Sequence, residues 1–371
     1  MDATGEAAGG NAATLVSVIV PMYDVAPFAA ECLDSLLAMD VPSGVRCEII
    51  VVDDGSHDAT GAIADRYAAA DAAIRVFHTA NHGLSAARNF GVRQARGEYV
   101  TFVDGDDMVT QDYLTALWAG LGKKEATDAR HRETDNVDVV HNQTNNMQPA
   151  AEVAPIALVV GTFKPFRTGR PPHGPIQSAS STRLHPNQAV AAMLTGYLPI
   201  SVWAKLAPRQ WYLDMPFPDN RVCEDLEIII PLLRRADSII LLATPIYRYR
   251  QRRNSLSHPR QPNRQQAQDF IRAITAMRQA CAALGYANND PRLAYQTVLQ
   301  YMRLHRLVRR LPGDTRAWDS MVVNEVQQNR DAALRAPGIG RTGRLRIRLF
   351  CASRLAYDLL FDVYDIVRRG R

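Results

Sequence analysis

Cysteine is scarce in this chain of 371 residues. The five present (Cys32, Cys47, Cys223, Cys281 and Cys351) are odd in number and far apart, and none falls in the paired spacing of a zinc site. A reducing, cytoplasmic setting is the simplest expectation. The histidines form no zinc signature either. His57, His82 and His258 lie near the motifs below and read as bystanders, with His258 the candidate for a third metal contact. Long apolar runs are also missing. No stretch of eighteen uncharged apolar residues exists, so no helix of this sequence is expected to span a bilayer. Residues 1–13 are rich in Gly and Ala and lack a basic-then-apolar signal pattern, which reads as a disordered leader.

What is present is ordinary globular material. A hydrophobic fraction of 47% rules out wholesale disorder. The net charge of +5 is unevenly placed: residues 301–371 carry 15 Arg against 7 acids, while the first 300 carry 28 basic and 31 acidic residues. A basic nucleic-acid groove in the main body is therefore disfavoured, and no nucleic-acid partner is expected. The tail keeps the option of meeting an anionic surface.

Apolar runs at 15–20, 48–52, 74–78 and 98–103 predict buried strands. Between them, helical spacing at 28–39, 59–70 and 84–96 predicts helices, the first entered through Pro27. Four strand–helix alternations in about ninety residues predict an α/β doubly wound, mainly parallel sheet of Rossmann-like type with flanking helices. In such sheets ligands sit beyond the carboxyl ends of the strands. Further on, strands are expected at 137–141, 156–160, 238–242 and 246–250, and helices at 188–194 and 224–235. Residues 143–186 read mostly as long loops, and the chain is helical from about 262.

Two acidic turns follow buried strands. Asp104-Gly105-Asp106-Asp107 packs three carboxylates into four residues. Such carboxylates repel each other, and a hard divalent ion sharing a diphosphate suits them. The alternative is a solvated Asp-Gly turn. Asp53-Asp54-Gly55-Ser56 is either a helix-capping turn or a carboxylate pair for a nucleoside. Arg88, on the helix after Gly83, reads as a phosphate contact or an exposed surface residue. Glu224-Asp225 opens a helix, as a dipole partner or as a general base. The Arg-rich stretch 247–257 is a diphosphate clamp or a charged edge strand.

Taken together, these pieces resemble the family 2 glycosyltransferases, which have the GT-A fold. The matching segments are Val16-Ser17-Val18-Ile19-Val20-Pro21-Met22-Tyr23, Ile50-Val51-Val52-Asp53-Asp54-Gly55-Ser56, 83–89, and Gly97-Glu98-Tyr99-Val100-Thr101-Phe102-Val103-Asp104-Gly105-Asp106-Asp107. Later, Val202-Trp203-Ala204-Lys205-Leu206, Glu224-Asp225 and 247–257 are similar to the acceptor half of bacterial polysaccharide and teichoic-acid members. The resemblance implies a GT-A domain over 14–260, with a nucleotide-sugar half (14–125) and an acceptor half (126–260), followed by a helical extension over 261–371. It implies that Pro21 and Tyr23 shape a uridine pocket, that Asp54 accepts from uracil with Asp53 behind it, and that Arg88 lies near the nucleotide. Asp104 would touch ribose or metal, Asp106 would ligate Mn²⁺ or Mg²⁺, and Asp225 would be the base, with Glu224 placing the acceptor. Asp24 and Ala204 depart from the family's usual Asn at both positions.

The function so implied is inverting, metal-dependent transfer from a nucleotide-sugar donor, with UDP-sugar first, to a glycan or lipid-linked hydroxyl of the cell envelope. Two other classes stand beside it. A sugar nucleotidyltransferase needs a Gly-rich basic loop after the first strand, and Pro21-Met22-Tyr23-Asp24 offers none. A non-catalytic binder would be expected to lack Asp106 or Asp225, and both are present. In the tail, Leu345, Leu349, Ala352, Ala356, Leu359, Val363 and Ile366 form an amphipathic stripe with arginines at its start. The favoured reading packs it on the rest of the chain or on a second copy. The other lays 341–371 on the inner membrane surface.

Overall fold

The computed structural model describes residues 13–122, 157–166, 180–252 and 262–370. The chain opens with β1 (Thr14–Met22), α1 (Ala26–Leu37), β2 (Val45–Asp53), α2 (Thr60–Ala70), β3 (Ile74–His78), α3 (Leu84–Gln94) and β4 (Tyr99–Phe102). Strands β1, β2 and β4 are covered on both faces, which is why they read as unbroken apolar runs rather than alternating ones. β5 (Met108–Val109), α4 (Tyr113–Leu121), β6 (Ala157–Phe166), β7 (Ser181–Leu184) and α5 (Pro186–Leu194) follow. Then come β8 (Lys205–Pro208), α6 (Arg209–Asp214), α7 (Glu224–Arg235) and β9 (Ser238–Arg250). The helices α8 (Arg264–Ala282), α9 (Pro291–Val308), α10 (Arg316–Leu334), α11 (Arg341–Ala352) and α12 (Arg354–Gly370) complete the described chain.

Among the described residues the strands join in the order β3-β2-β1-β4-β8-β6-β9-β5, with β7 also paired to β9. The first four are parallel to one another. The second half is mixed: β8 is antiparallel to both β4 and β6, β5 and β7 are antiparallel to β9, and β6 runs parallel to β9. The mainly parallel sheet expected from the sequence thus describes its first half. The expected strand at 137–141 lies outside the described residues.

The register fixes the site. Pro21 lies opposite Val52 and Met22 opposite Asp53, while Ile19 lies opposite Phe102. Both acidic turns therefore leave the sheet at the carboxyl ends of strands that flank β1. One apolar cluster runs from Val16 through β6, β9 and α7 into α8, α9 and Tyr357 of α12.

Two expectations need correction. The strands expected at 238–242 and 246–250 are one strand, β9. The stripe expected to run on one helix from 345 to 366 is divided at Ser353, whose backbone is extended (φ −156°, ψ 104°). Nor does the stripe lie buried on the rest of the chain: Leu345, Leu359 and Val363 face solvent, whereas Ile347, Phe350 and Tyr357 pack inward.

Candidate active site

The site grows from the end of β1. Asp24 adopts a left-handed backbone (φ 48°), a conformation that Asn and Asp tolerate best. Its N–H donates to Ser56 Oγ (3.0 Å), and its Oδ1 accepts from the His57 N–H (2.7 Å). The aspartate thus fills the structural role open to an asparagine here. Tyr23 is partly exposed and meets the His57 ring edge-on at 5.9 Å. Asp53 is buried, taking the Ser56 N–H (3.1 Å) on one oxygen and His78 Nδ1 (2.9 Å) on the other. Asp54 is also buried, and its two oxygens accept from the N–H groups of His82 (3.0 Å) and Gly83 (2.8 Å). A carboxylate has about four acceptor directions, so these bonds leave it room to take another donor.

The second acidic turn crosses close to β1. The Gly105 N–H donates to the Pro21 carbonyl (3.2 Å), and a Cβ at Gly105 would stand 2.6 Å from Met22 Cγ. Asp107 is buried between the Tyr247 hydroxyl (2.7 Å) and the Arg250 N–H (2.6 Å). The same hydroxyl accepts from the Asp104 N–H (3.1 Å), and Tyr247 stacks on Trp203 at 4.2 Å. Burial, together with the charges of Asp106 and Asp104, holds Asp107 well above the usual carboxylate range.

Arg88 is 1% exposed and ties distant segments together. Its Nη1 donates to Glu224 Oε1 (2.5 Å) and Asp225 Oδ1 (3.3 Å), and its Nη2 donates to Asp104 Oδ1 (2.9 Å). Burial pulls the guanidinium down, but Asp104, Asp225 and Glu224 outweigh it and hold its pKa above the ordinary value. The reading of Arg88 as an exposed surface residue is overturned. Arg88 is not on the surface, and its terminal nitrogens are occupied by carboxylates.

Glu224 and Asp225 are brought there by Cys223, the residue before α7, which has a left-handed backbone (φ 66°). The Glu224 side chain is 8% exposed, whereas Asp225 is 24% exposed and opens toward the crevice. Burial raises the Asp225 pKa, Arg88 opposes this and Glu224 adds to it, with a net value of about 6. A backbone bond from Val202 also reaches Asp225. Behind that loop lies Lys205, wholly buried, whose Nζ donates to the carbonyls of Pro199 (3.1 Å) and Ser201. Burial lowers Lys205 to about 7, with Asp225 pulling the other way.

The Arg-rich stretch is neither an edge strand nor an open clamp over its described part. Arg250 is buried with its guanidinium between the rings of Phe166 (4.5 Å) and Phe28 (4.9 Å). It donates to the Asp106 carbonyl (2.6 Å) and to Glu31 (2.5 Å). Arg252 Nε donates to the Asp106 carboxylate (2.5 Å). His258 and residues 253–257 lie outside the described residues.

Among the described residues no three His, Cys, Asp or Glu side chains converge as a metal-ligand set. The donor chemistry nonetheless suits a hard cation. Five carboxylates (Glu31, Asp104, Asp106, Glu224 and Asp225) pair with three guanidiniums (Arg88, Arg250 and Arg252), leaving negative charge in excess. Burial and the neighbouring charges of Asp106 and Asp225 leave Asp104 above its ordinary pKa even with Arg88 attached. Asp104 and Asp106 are 25% and 18% exposed, and both stand in the acidic turn beside β1. A magnesium-type ion is held by one or two carboxylates and completed by phosphate and water, and this pair fits that pattern.

Sequence reasoning assigned no role to Lys205, Tyr247 or Glu31. Lys205 and Tyr247 sit in segments already singled out, but Glu31 carries no local signal.

The family model described as Glycosyl transferase family 2 matches residues 17–171. Over 103 residues the chain is 54% identical to the uncharacterized glycosyltransferase EpsJ of Bacillus subtilis, covering 28% of this chain and 29% of that protein. Over 242 residues it is 27% identical to the glycosyltransferase GlyA of Streptococcus pneumoniae, covering 65% of this chain and 31% of that protein. The alignments thus span less than a third of these relatives' own length. In fold the chain is similar to S. aureus TarS 1-349, solved with UDP, at a TM-score of 0.56 and 19% identity over 96% of this chain and 92% of that one. The fold is thus similar to that of TarS, and the sequence matches reach one conclusion: residues 17–171 carry a family 2 glycosyltransferase domain.

Proposed function

We propose that this chain transfers a sugar from a nucleotide-sugar, with a UDP-sugar the first choice, to a hydroxyl of a glycan or lipid-linked acceptor, inverting the anomeric centre. One observation carries the reading. Arg88 gathers Asp104, from the acidic turn beside β1, together with Glu224 and Asp225 at the head of α7. A donor-side carboxylate and a candidate base thereby share one charged knot.

In this mechanism Asp225 takes the proton of the acceptor hydroxyl as that oxygen attacks the anomeric carbon. The bond from that carbon to the diphosphate oxygen breaks, and the nucleoside diphosphate leaves. A single displacement against one base inverts the centre, as in single-displacement glycosidases. Base function requires ionised Asp225, and its pKa of about 6 leaves it ionised and basic near neutral pH. Glu224 fixes Arg88, and Arg88 keeps Asp104 and Asp225 at their posts. Tyr23 and Asp54 border the space at the ends of β1 and β2 where a uridine would lie. A divalent cation held by Asp104 and Asp106 would offset the charge that builds on the departing diphosphate.

The choice of uridine follows TarS, a protein known in complex with UDP and with UDP-GlcNAc. A lipid hydroxyl as acceptor has a parallel in the cholesterol galactosyltransferase of Borreliella burgdorferi, 29% identical over 248 residues. The test is release of UDP from a panel of UDP-sugars with Mn²⁺ present, comparing wild type with Asp225→Asn. Release by wild type and its loss in the variant supports the reading. No release from any nucleotide-sugar, or equal release by both proteins, overturns it.

A further inference from the structure

We infer that the outer face of the α11–α12 pair is a docking surface for an anionic lipid bilayer. The inference stands apart from the transfer reaction. The inner face of the pair is already satisfied: Ile347, Phe350 and Tyr357 are at most 2% exposed, and Phe350 and Tyr357 pack around the His305 ring. The outer face is not. Leu345, Leu355, Leu359, Leu360 and Val363 are 51 to 72% exposed, and they make up half of the large exposed apolar side chains among the described residues. Leu355, Leu359 and Val363 recur every four positions, so they share one side of α12.

The charge on α11 has one sign. α11 carries Arg341, Arg344, Arg346 and Arg348 and no acid, and Arg344 and Arg348 are exposed beside Leu345. Two acids of α12 turn to other partners: Asp358 meets His305 Nε2 (3.1 Å) and Arg309 (3.2 Å), and Asp362 meets Arg309 (3.0 Å). Between α10 and α11 lies a groove of about 400 Å³ lined by Arg330, Leu334, Arg348, Cys351 and Ala352. Arg330 is held by Asp331 at 2.8 Å, and Arg348 lines the same groove. A lipid phosphate seated there would meet two guanidiniums.

An apolar stripe flanked by arginines is the pattern of a helix lying in the plane of a membrane surface. The arginines select the occupant. Pairing with a second copy about a two-fold axis through this face would bring the same arginines toward each other. An anionic bilayer offers acyl chains to the leucines and phosphates to the guanidiniums.

The experiment is co-sedimentation of the full chain with vesicles of phosphatidylcholine alone or mixed equally with phosphatidylglycerol. Wild type should sediment with the mixed vesicles and not with the neutral ones. Two double variants, Arg344→Gln/Arg348→Gln and Leu355→Ser/Leu359→Ser, should each bind the mixed vesicles about ten-fold more weakly or worse. Their melting temperatures and their UDP release in solution should match wild type. Absence of wild-type binding, equal binding to neutral vesicles, or unchanged binding by both variants overturns the inference. So does a wild-type dimer that Leu355→Ser/Leu359→Ser dissociates without any effect on vesicle binding. If wild type releases no UDP yet binds vesicles in this pattern, the transfer reading fails and the docking surface stands.

Discussion

Arg88 and Glu224, 136 residues apart in sequence, meet at 2.5 Å where both side chains are less than a tenth exposed. The knot around them includes Asp104 and Asp225, so the cation balances several buried charges at once. Removing it strands them. Arg88→Met should cost about 3–5 kcal/mol in urea unfolding, the scale for breaking a buried ion pair. Arg88→Lys keeps the charge but not the fork, and should recover only part of the stability. Stability equal to wild type in Arg88→Met would refute the role.

Asp225 bears on rate and stability in opposite directions. Asp225→Asn should lower transfer about 10²- to 10⁴-fold, as loss of a general base does. The native carboxylate has a raised pKa of about 6. Its ionised form is therefore less favourable folded than unfolded, and this cost sets in as pH rises from the ordinary carboxylate value through about 6. At pH 8 the variant should melt no lower than wild type. In wild type, kcat should climb with pH through about 6 and then level off. A rate unchanged across that range would remove Asp225 from the proton transfer.

Lys205 is expected to act through Asp225. Its cation draws the Asp225 pKa down, and its Nζ holds the loop whose Val202 amide reaches that carboxylate. Lys205→Met should move the acid limb of the kcat profile to higher pH and lower kcat more than it changes KM. Stability supplies a second readout. A lysine with a native pKa of about 7 binds fewer protons folded than unfolded between pH 7 and about 10.4, so its contribution to stability rises with pH there. The variant should lose that slope. A profile matching wild type in both respects would leave Lys205 without the role.

Gly105 allows the acidic turn to cross β1. A methyl group there meets Met22 Cγ at 2.6 Å and the Pro21 carbonyl at 3.0 Å. Gly105→Ala should cost about 1–3 kcal/mol and push Asp104 and Asp106 off their positions. The loss of activity should exceed that of Gly122→Ala, where an added Cβ meets nothing. Equal activities would show that the crossing tolerates the shift.

Asp106 and Arg252 should respond to metal in opposite ways. In wild type, Mn²⁺ with UDP should raise the melting temperature, because a ligand specific for the folded state stabilises it. Asp106→Asn should abolish most of that rise. Arg252→Gln releases the Asp106 carboxylate from its ion pair and should shift the Mn²⁺ response to lower concentration. If all three proteins gave one titration curve, the metal would have to sit elsewhere.

Much of this arrangement was legible because local chemistry and global placement agree. β1, β2 and β4 announce themselves as apolar runs buried on both faces, and acidic turns at their ends stand out against them. The bounds of α7 matched the sequence reading because carboxylates open it and arginines close it. Other parts were hidden for physical reasons. Pro245 reads as a strand breaker, yet β9 passes through it because it lies opposite Thr162, where the β6–β9 register shifts and a missing N–H is tolerated. β7 and β8 are four residues each, too short for periodicity to register. The internal capture of Arg88 was invisible, because a sequence shows that a cation is present but not which carboxylates the fold will bring to it. For the same reason Glu31 and Arg250, 219 residues apart, could not be paired in advance.

Tyr247 stacks on Trp203 and, through one hydroxyl, also holds both ends of the 104–107 turn. That single ring makes the two sides of the crevice poor candidates for modular exchange. A chimera that imports a relative's residues 195–214 while retaining the native β9 would inherit a mismatched stacking partner, and the fault would surface at the acidic turn rather than at the graft. Successful transplants should be those that carry 203 and 247–250 as one heritable unit.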